Sequence, residues 1–113
     1  MYRMSLNRVH DTVRVSEGKE SLLLHVDADA GRMVAGIAEA AKALKNITDE
    51  STDVEKRNVA QYFATEIFGE DGAASLIRFY HNDPVCVINL CGQYLDRRLK
   101  KLIAKAQKKG ARK

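Results

Sequence analysis

A change of hydrophobic period at Asp27 constrains this chain more than any other feature. Before it, the apolar residues form two short rows, Val9, Val13, Val15 and then Leu22, Leu23, Leu24, Val26; after it they recur every three or four residues. Strand side chains alternate between faces while a helix returns to the same face every 3.6 residues. The order therefore predicts one hairpin followed only by helices. Ser16-Glu17-Gly18-Lys19 separates the two rows, and Gly18 can take the positive φ of a hairpin turn. A lone two-stranded ribbon is marginal in water, so this one must lie on the helices or pair with another chain.

The helical part divides at its own punctuation. Met33, Val34, Ile37, Ala38, Ala41, Leu44 and Ile47 form a first stripe, with Asp29 near its start as a cap and Arg32, Glu39, Lys42 and Lys45 on the solvated side. Thr48 to Asp53 is polar and ends it. Thr52 and Glu55 have capping-box spacing and open a second helix, whose apolar side is Val59, Tyr62, Phe63, Ile67 and Phe68 and whose left-handed stop is Gly69. Asp71 caps a short third helix containing Ala74, Leu76, Ile77, Phe79 and Tyr80. In Asn82-Asp83-Pro84 the aspartate can accept an orphan amide and the proline has no donor to lose, so a fourth helix starts there. Its stripe is Ile88, Cys91, Leu95, Leu99, Leu102 and Ile103, reinforced by Val87 and Tyr94, and it runs to about Gln107, with Gly110 marking a fraying end. The expected fold is α+β, mainly helical with about four helices and an N-terminal β-hairpin. It forms a single domain over 1–113: hairpin 9–27, helical body 29–107, basic flexible tail 108–113. A length of 113 residues leaves no room for a second fold.

Charge is placed unevenly. Residues 1–96 carry ten Lys/Arg against fifteen Asp/Glu, a net −5, while 97–113 carry nine Lys/Arg and no acidic residue, a net +9. The basic pI thus reflects one end of the chain rather than a protein-wide cationic surface. A composition of 45% hydrophobic and 30% charged residues excludes wholesale disorder, collagen-like repeats and a disulfide-framework miniprotein. No apolar leader pattern follows Met1 to Asn7, and charged residues interrupt every apolar stretch well short of the about 18 residues a membrane span needs. A cytoplasmic protein is expected. Cys86 and Cys91, five apart on one helix and so roughly 140° apart around it, fit two reduced thiols better than a metal pair or disulfide.

The chemistry of catalysis is sparse. An oxygen-and-imidazole metal site would need His10, His25, Asp27 and Asp29 to converge; cross-strand histidines beside helix-capping aspartates are the plainer reading. His81 beside Asp83 reads as a polar helix-terminus residue rather than a catalytic base. No phosphate loop, dinucleotide fingerprint, zinc-protease motif or Cys-x-x-Cys pair is present. Gly69-Glu70-Asp71-Gly72 is acidic, which opposes phosphate binding, and too short for a calcium loop. No catalytic residue, metal ligand or cofactor is expected, and the chain is read as a non-enzyme. Its candidate partner-binding residues are Arg97, Arg98, Lys101, Leu102, Lys105, Lys108 and Lys109. Three uses of this basic end stay open: a solubilising helix end, a contact for an acidic protein, or phosphate contacts to nucleic acid. The last lacks any aromatic after Tyr94 on which bases could stack.

The order of elements also carries a resemblance. Gly18-Lys19-Glu20 in the N-terminal segment, a long helix, "VAQYFATEIFGEDG" from Val59 to Gly72 and a helix opening after Asp83 together resemble small phage and prophage proteins of the tail assembly chaperone type. The likeness spans Val13 to Lys105 and is most specific at "FATEIFGEDGAASLI", Phe63 to Ile77. It implies a non-enzymatic protein of the bacterial host cytoplasm, which binds the tape-measure protein and tail-tube subunits during tail morphogenesis and is absent from the finished virion; a homo-oligomer is expected on separate grounds, because self-association would bury a leftover sheet edge or helix stripe. It also implies structural roles for Phe63, Phe68, Gly69 and Gly72. The basic C-terminal end departs from that family's pattern, in which the last helix is more acidic or neutral.

Overall fold

The structure, a computed structural model, describes residues 8–111, with side chains as far as Gln107. It is an α+β fold: an N-terminal antiparallel hairpin, β1 (Arg8–Glu17) and β2 (Glu20–Asp29), lies on about three long helical rods. The first rod is α1 (Ala30–Lys45) and the second is α2 (Asp53–Phe79). The third is built from α3 (Pro84–Tyr94), a π-helical turn over Leu95–Leu99, and α4 (Lys100–Ala111).

The hairpin turn is tighter than the four polar residues suggested. Ser16 and Glu17 remain in β1, and Gly18-Lys19 alone connects the strands, with Gly18 at φ 61° as the first position of a type II′ turn requires. The register pairs Val9 with Ala28, Asp11 with Val26, Val13 with Leu24 and Val15 with Leu22 on the inward face. Arg8, His10, Thr12 and Arg14 point outward opposite Asp29, Asp27, His25 and Leu23. Leu23 is consequently 50% exposed although it sits between two leucines that face the core.

Local capping chemistry sets where the helices begin. The Asp29 carboxylate accepts the Arg32 amide at 3.0 Å, Thr52 Oγ1 accepts the Glu55 amide at 3.1 Å, and Asp83 accepts the Val85 amide at 3.0 Å with Pro84 in the first turn. Each lies at the cap position that the sequence predicts. The second expected helix stops at Gly69 as predicted, and the third resumes directly after it, so α2 is two helices joined at a sharp kink. Gly69 sits at φ 80°, ψ 173°, a region open in practice only to glycine, which breaks the helical backbone there. The second of the two helices ends at Tyr80, where the Asn82 amide reaches back to Ile77 O at 2.9 Å and the His81 amide to Arg78 O at 3.0 Å. This is a Schellman cap with His81, φ 54°, in the place usually held by glycine.

The core lies where hairpin, α2 and the third rod meet. Val9, Val15, Leu24 and Val26 from the ribbon, Met33 and Ile37 from α1, and Phe63, Ile67, Phe68 and Leu76 from α2 are buried against Val87, Cys91, Tyr94, Leu99 and Ile103. Phe68 stacks on Tyr94 with ring centroids 5.7 Å apart, placing the aromatic centre at the kink. Two predicted core stripes turn out broader than the core itself. Val34 and Ala38 of α1, and Tyr62 of α2, face outward. In the third rod the buried positions are Val87, Cys91, Tyr94, Leu99, Ile103 and Ala106, while Ile88, Leu95 and Leu102 are only half-buried. The five-residue step from Tyr94 to Leu99 does not fit an α-helix. The π turn absorbs it, with the Lys100 amide bonding to Leu95 O across five residues. The backbone of α4 extends into the stretch assigned to a tail, as far as Ala111; residues 112–113 lie outside the described residues. No described helix is long and apolar enough to cross a membrane.

Candidate interaction surface on the last helix

Two groups of side chains meet on the third rod, one turned inward and one outward. The inward group centres on Asp11. Alternation along β1 puts it on the core face between Val9 and Val13, and its side chain is only 5% exposed. Three donors satisfy the carboxylate: the Tyr94 hydroxyl at 2.8 Å, Arg98 Nε at 2.5 Å and Arg98 Nη2 at 2.9 Å. The fork-to-carboxylate pairing of Arg98 holds the Asp11 carboxyl below its ordinary range, with Tyr94 and the Thr12 backbone adding to the effect and burial opposing it. Burial and the hydrogen bond to Asp11 push the Tyr94 phenol up. The latch joins residues 87 positions apart and clamps the hairpin to the third rod at its π turn.

Of the seven expected partner-binding residues, Arg98 thus has two nitrogens engaged within the molecule, and Leu102 is half-buried against the core. Arg97, Lys101 and Lys105 are exposed at four-residue intervals and line one outward ridge. Lys108 and Lys109 continue the helix in backbone, and their side chains lie outside the described residues.

Between α1 and the third rod lies a groove of about 310 Å³, lined by Val34, Ile37 and Ala38 on one side and Leu95, Ile103 and Ala104 on the other. Lys100 and Gln107 stand at its margin, and Lys100 Nζ lies 3.2 Å from Asp96. The walls are almost wholly carbon. Val34 and Ala38, assigned to the core by their period, supply one wall, because the apolar arc of α1 is wider than the neighbours that cover it.

The histidines stay at the surface. His10 and His25 lie on the outward face of the hairpin, His10 Nδ1 3.4 Å from Asp27, which also pairs with Arg8 at 2.9 Å. Among the described residues, no three His, Cys, Asp or Glu side chains come together in a way that could hold a metal ion. A second cleft, of about 540 Å³, separates the β2–α1 junction from the Gly69 kink; Arg8 and Arg32 line it together with Asp27, Glu66 and Glu70, giving it both signs of charge. Both cysteines are free. Burial pushes the Cys91 thiol up to about 12, which makes it inert, and desolvation with the Asp83 carboxylate nearby raises the half-buried Cys86.

Asp11 and Tyr94 hold the hairpin to this rod, and neither is among the candidate partner-binding residues, Tyr94 reading in the sequence only as part of the core stripe. The signal for Asp11 was its phase: two residues after Val9 and two before Val13, it belongs to the inward row. Compared with known protein families, curated proteins and solved structures, the chain matches none.

Proposed function

We propose that this chain is a non-enzymatic protein-binding module that escorts a partner during the assembly of a larger structure. The observation that carries the reading is the open, carbon-lined groove between α1 and the third rod, on a rod whose outward row presents the exposed cations Arg97, Lys101 and Lys105. An apolar channel next to a charged ridge suits a protein segment, whose side chains offer both carbon and countercharge. The resemblance at Phe63 to Ile77 supplies the biological setting: a tail assembly chaperone of phage or prophage, working in the bacterial cytoplasm with the tape-measure protein as partner. Self-association belongs to the same reading, since a second copy would cover the open edges of the two-stranded sheet. The exposed ridge favours one alternative, an accessory protein that binds nucleic acid through phosphate contacts.

Tagged protein expressed with its complete surrounding gene cluster, purified with and without nuclease and examined by mass spectrometry, separates the two. Recovery of a long coiled-coil tail protein that survives nuclease is the expected result. Recovery that vanishes with nuclease would replace this reading with the nucleic-acid one.

A further inference from the structure

We infer that the groove between α1 and α4 receives an amphipathic helix of the partner protein, with an apolar stripe directed inward and acidic residues along the flank that faces α4. This rests on the protein-binding reading above and specifies the chemistry of the partner.

Dimensions and lining point to a helix. The wall on the third rod runs from Leu95 in the π turn to Gln107 in α4, about 18 Å of helix axis, enough for three to four turns of an incoming helix. Ile37 and Ile103 form a buried floor, Val34 is 39% exposed at the rim, and Ala38 and Ala104 are exposed alanines facing each other's helix. Small residues at those positions let a third helix approach closely and set its larger side chains between theirs. Lys101 and Lys105 each follow a lining residue, Lys100 and Ala104, by one position, so the exposed row Arg97, Lys101 and Lys105 runs about 100° round the rod from that wall, and no acidic residue follows Asp96.

The same features disfavour the other occupants. Two copies joined groove to groove with rod against rod would bring like-charged ridges together. Nucleic acid gains little from a carbon-lined channel with no aromatic side chain in its walls.

The test uses the full chain and a fluorescein-labelled synthetic helix of about 14 residues, with leucines at alternating three- and four-residue spacing and glutamates on the flanks. A second peptide carries lysine in place of every glutamate. Fluorescence anisotropy is read on the wild type and on Ala104→Glu and Ala38→Glu, with far-UV circular dichroism and thermal unfolding confirming that at least one variant remains folded. The expected result is saturable binding of the glutamate peptide, weakened at least about tenfold by the folded variant and at least about tenfold by the lysine exchange. Absence of binding, equal affinity for both peptides, or equal affinity of wild type and folded variant would overturn the inference. A dimer dissolved by Ala104→Glu, or a DNA duplex that displaces the bound peptide and loses affinity for the variant, would overturn it in favour of those occupants. The gene-cluster co-purification, repeated with the same variant, separates the two levels. If wild type and variant capture the tail protein equally, the groove assignment fails and the tail reading stands. If neither captures it while the peptide still binds the groove, the tail reading fails and the groove assignment stands.

Discussion

Asp11 is the charged member of an otherwise apolar row, and its three hydrogen bonds make that position tolerable. Because its carboxyl titrates below the ordinary value of about 3.9 in the folded chain, the latch contributes stability that is full above that value and lost as pH falls through the folded one. Urea unfolding of wild type and Asp11→Asn at a series of pH values should therefore show a constant difference from neutrality to about pH 5, narrowing below about pH 4. A difference that instead widened in acid would mean that Arg98 and Tyr94 do not hold the ionised form. Gly69 makes an independent prediction. Its φ of 80° and ψ of 173° admit no Cβ without strain, so Gly69→Ala should cost about 1–3 kcal/mol, read as a drop of several degrees in Tm. Three residues on, a Cβ at Gly72 would stand 2.7 Å from Phe68 Cβ, which is fixed in the core. Backbone conformation at Gly69 and packing at Gly72 are thus physical reasons for the two glycines, whatever the chain binds. Gly69 could be anticipated from the run itself, since a glycine after an aromatic at the end of an apolar stripe is a local signal; Gly72 was indicated only by the resemblance. Asp11 was harder to read, because its partners Tyr94 and Arg98 lie more than eighty residues away.

The elements whose limits depend on neighbouring residues were legible, and those that depend on distant packing were not. Asp29, Thr52 and Asp83-Pro84 mark helix starts because a cap needs only a side-chain oxygen within reach of the next free amides. The π turn at Leu95–Leu99 escaped, since it answers to contacts across the core. Ile88, Cys91, Leu95, Leu99 and Leu102 form an acceptable α-helical stripe on paper, yet Tyr94 is drawn inward by Phe68 and Asp11, and Leu99 then becomes the next buried residue. One residue too many for a regular helix lies between them. Deleting Arg97, an exposed residue inside the π turn, should accordingly restore Tyr94 and Leu99 to four-residue spacing and keep stability within about 1 kcal/mol of wild type. Deleting Lys101 from the regular stretch should rotate Ile103 and Ala106 about 100° off the core and cost markedly more. Equal losses in the two deletions, followed by thermal unfolding, would show that the π turn is not what reconciles the two halves of the rod.

At the scale of the whole molecule, the radius of gyration of 15.0 Å exceeds the about 13 Å of a globule of this length, in keeping with extents of 49 × 34 × 23 Å. An elongated small domain has little core to spare, and the third rod serves two demands at once. Its inner face supplies Leu99, Ile103 and Ala106 to the core and Arg98 to the latch, while its outer face carries Arg97, Lys101 and Lys105. The charge division, −5 before Arg97 and +9 from it, was plain in the sequence, but which cations are exposed depended on the phase set by the π turn. The two faces can be separated by experiment. A chain ended after Asp96 loses Leu99 and Ile103, each worth about 1.5–3 kcal/mol of burial, together with the Arg98 contacts. Against a net stability of about 5–15 kcal/mol for a domain, this loss should broaden or abolish the cooperative thermal transition. Replacing Arg97, Lys101 and Lys105 together by Gln touches no buried contact and should leave Tm within a few degrees, while weakening capture of an acidic partner and making what remains less sensitive to salt. Calorimetry on the two chains, read beside their partner capture, decides the matter. If the truncated chain unfolds as the wild type does, the last helix is a solvated appendage. If the truncated chain loses both its cooperative transition and its partner, while the glutamine variant keeps the transition and loses only the partner, one face of the helix holds the fold and the other does the binding.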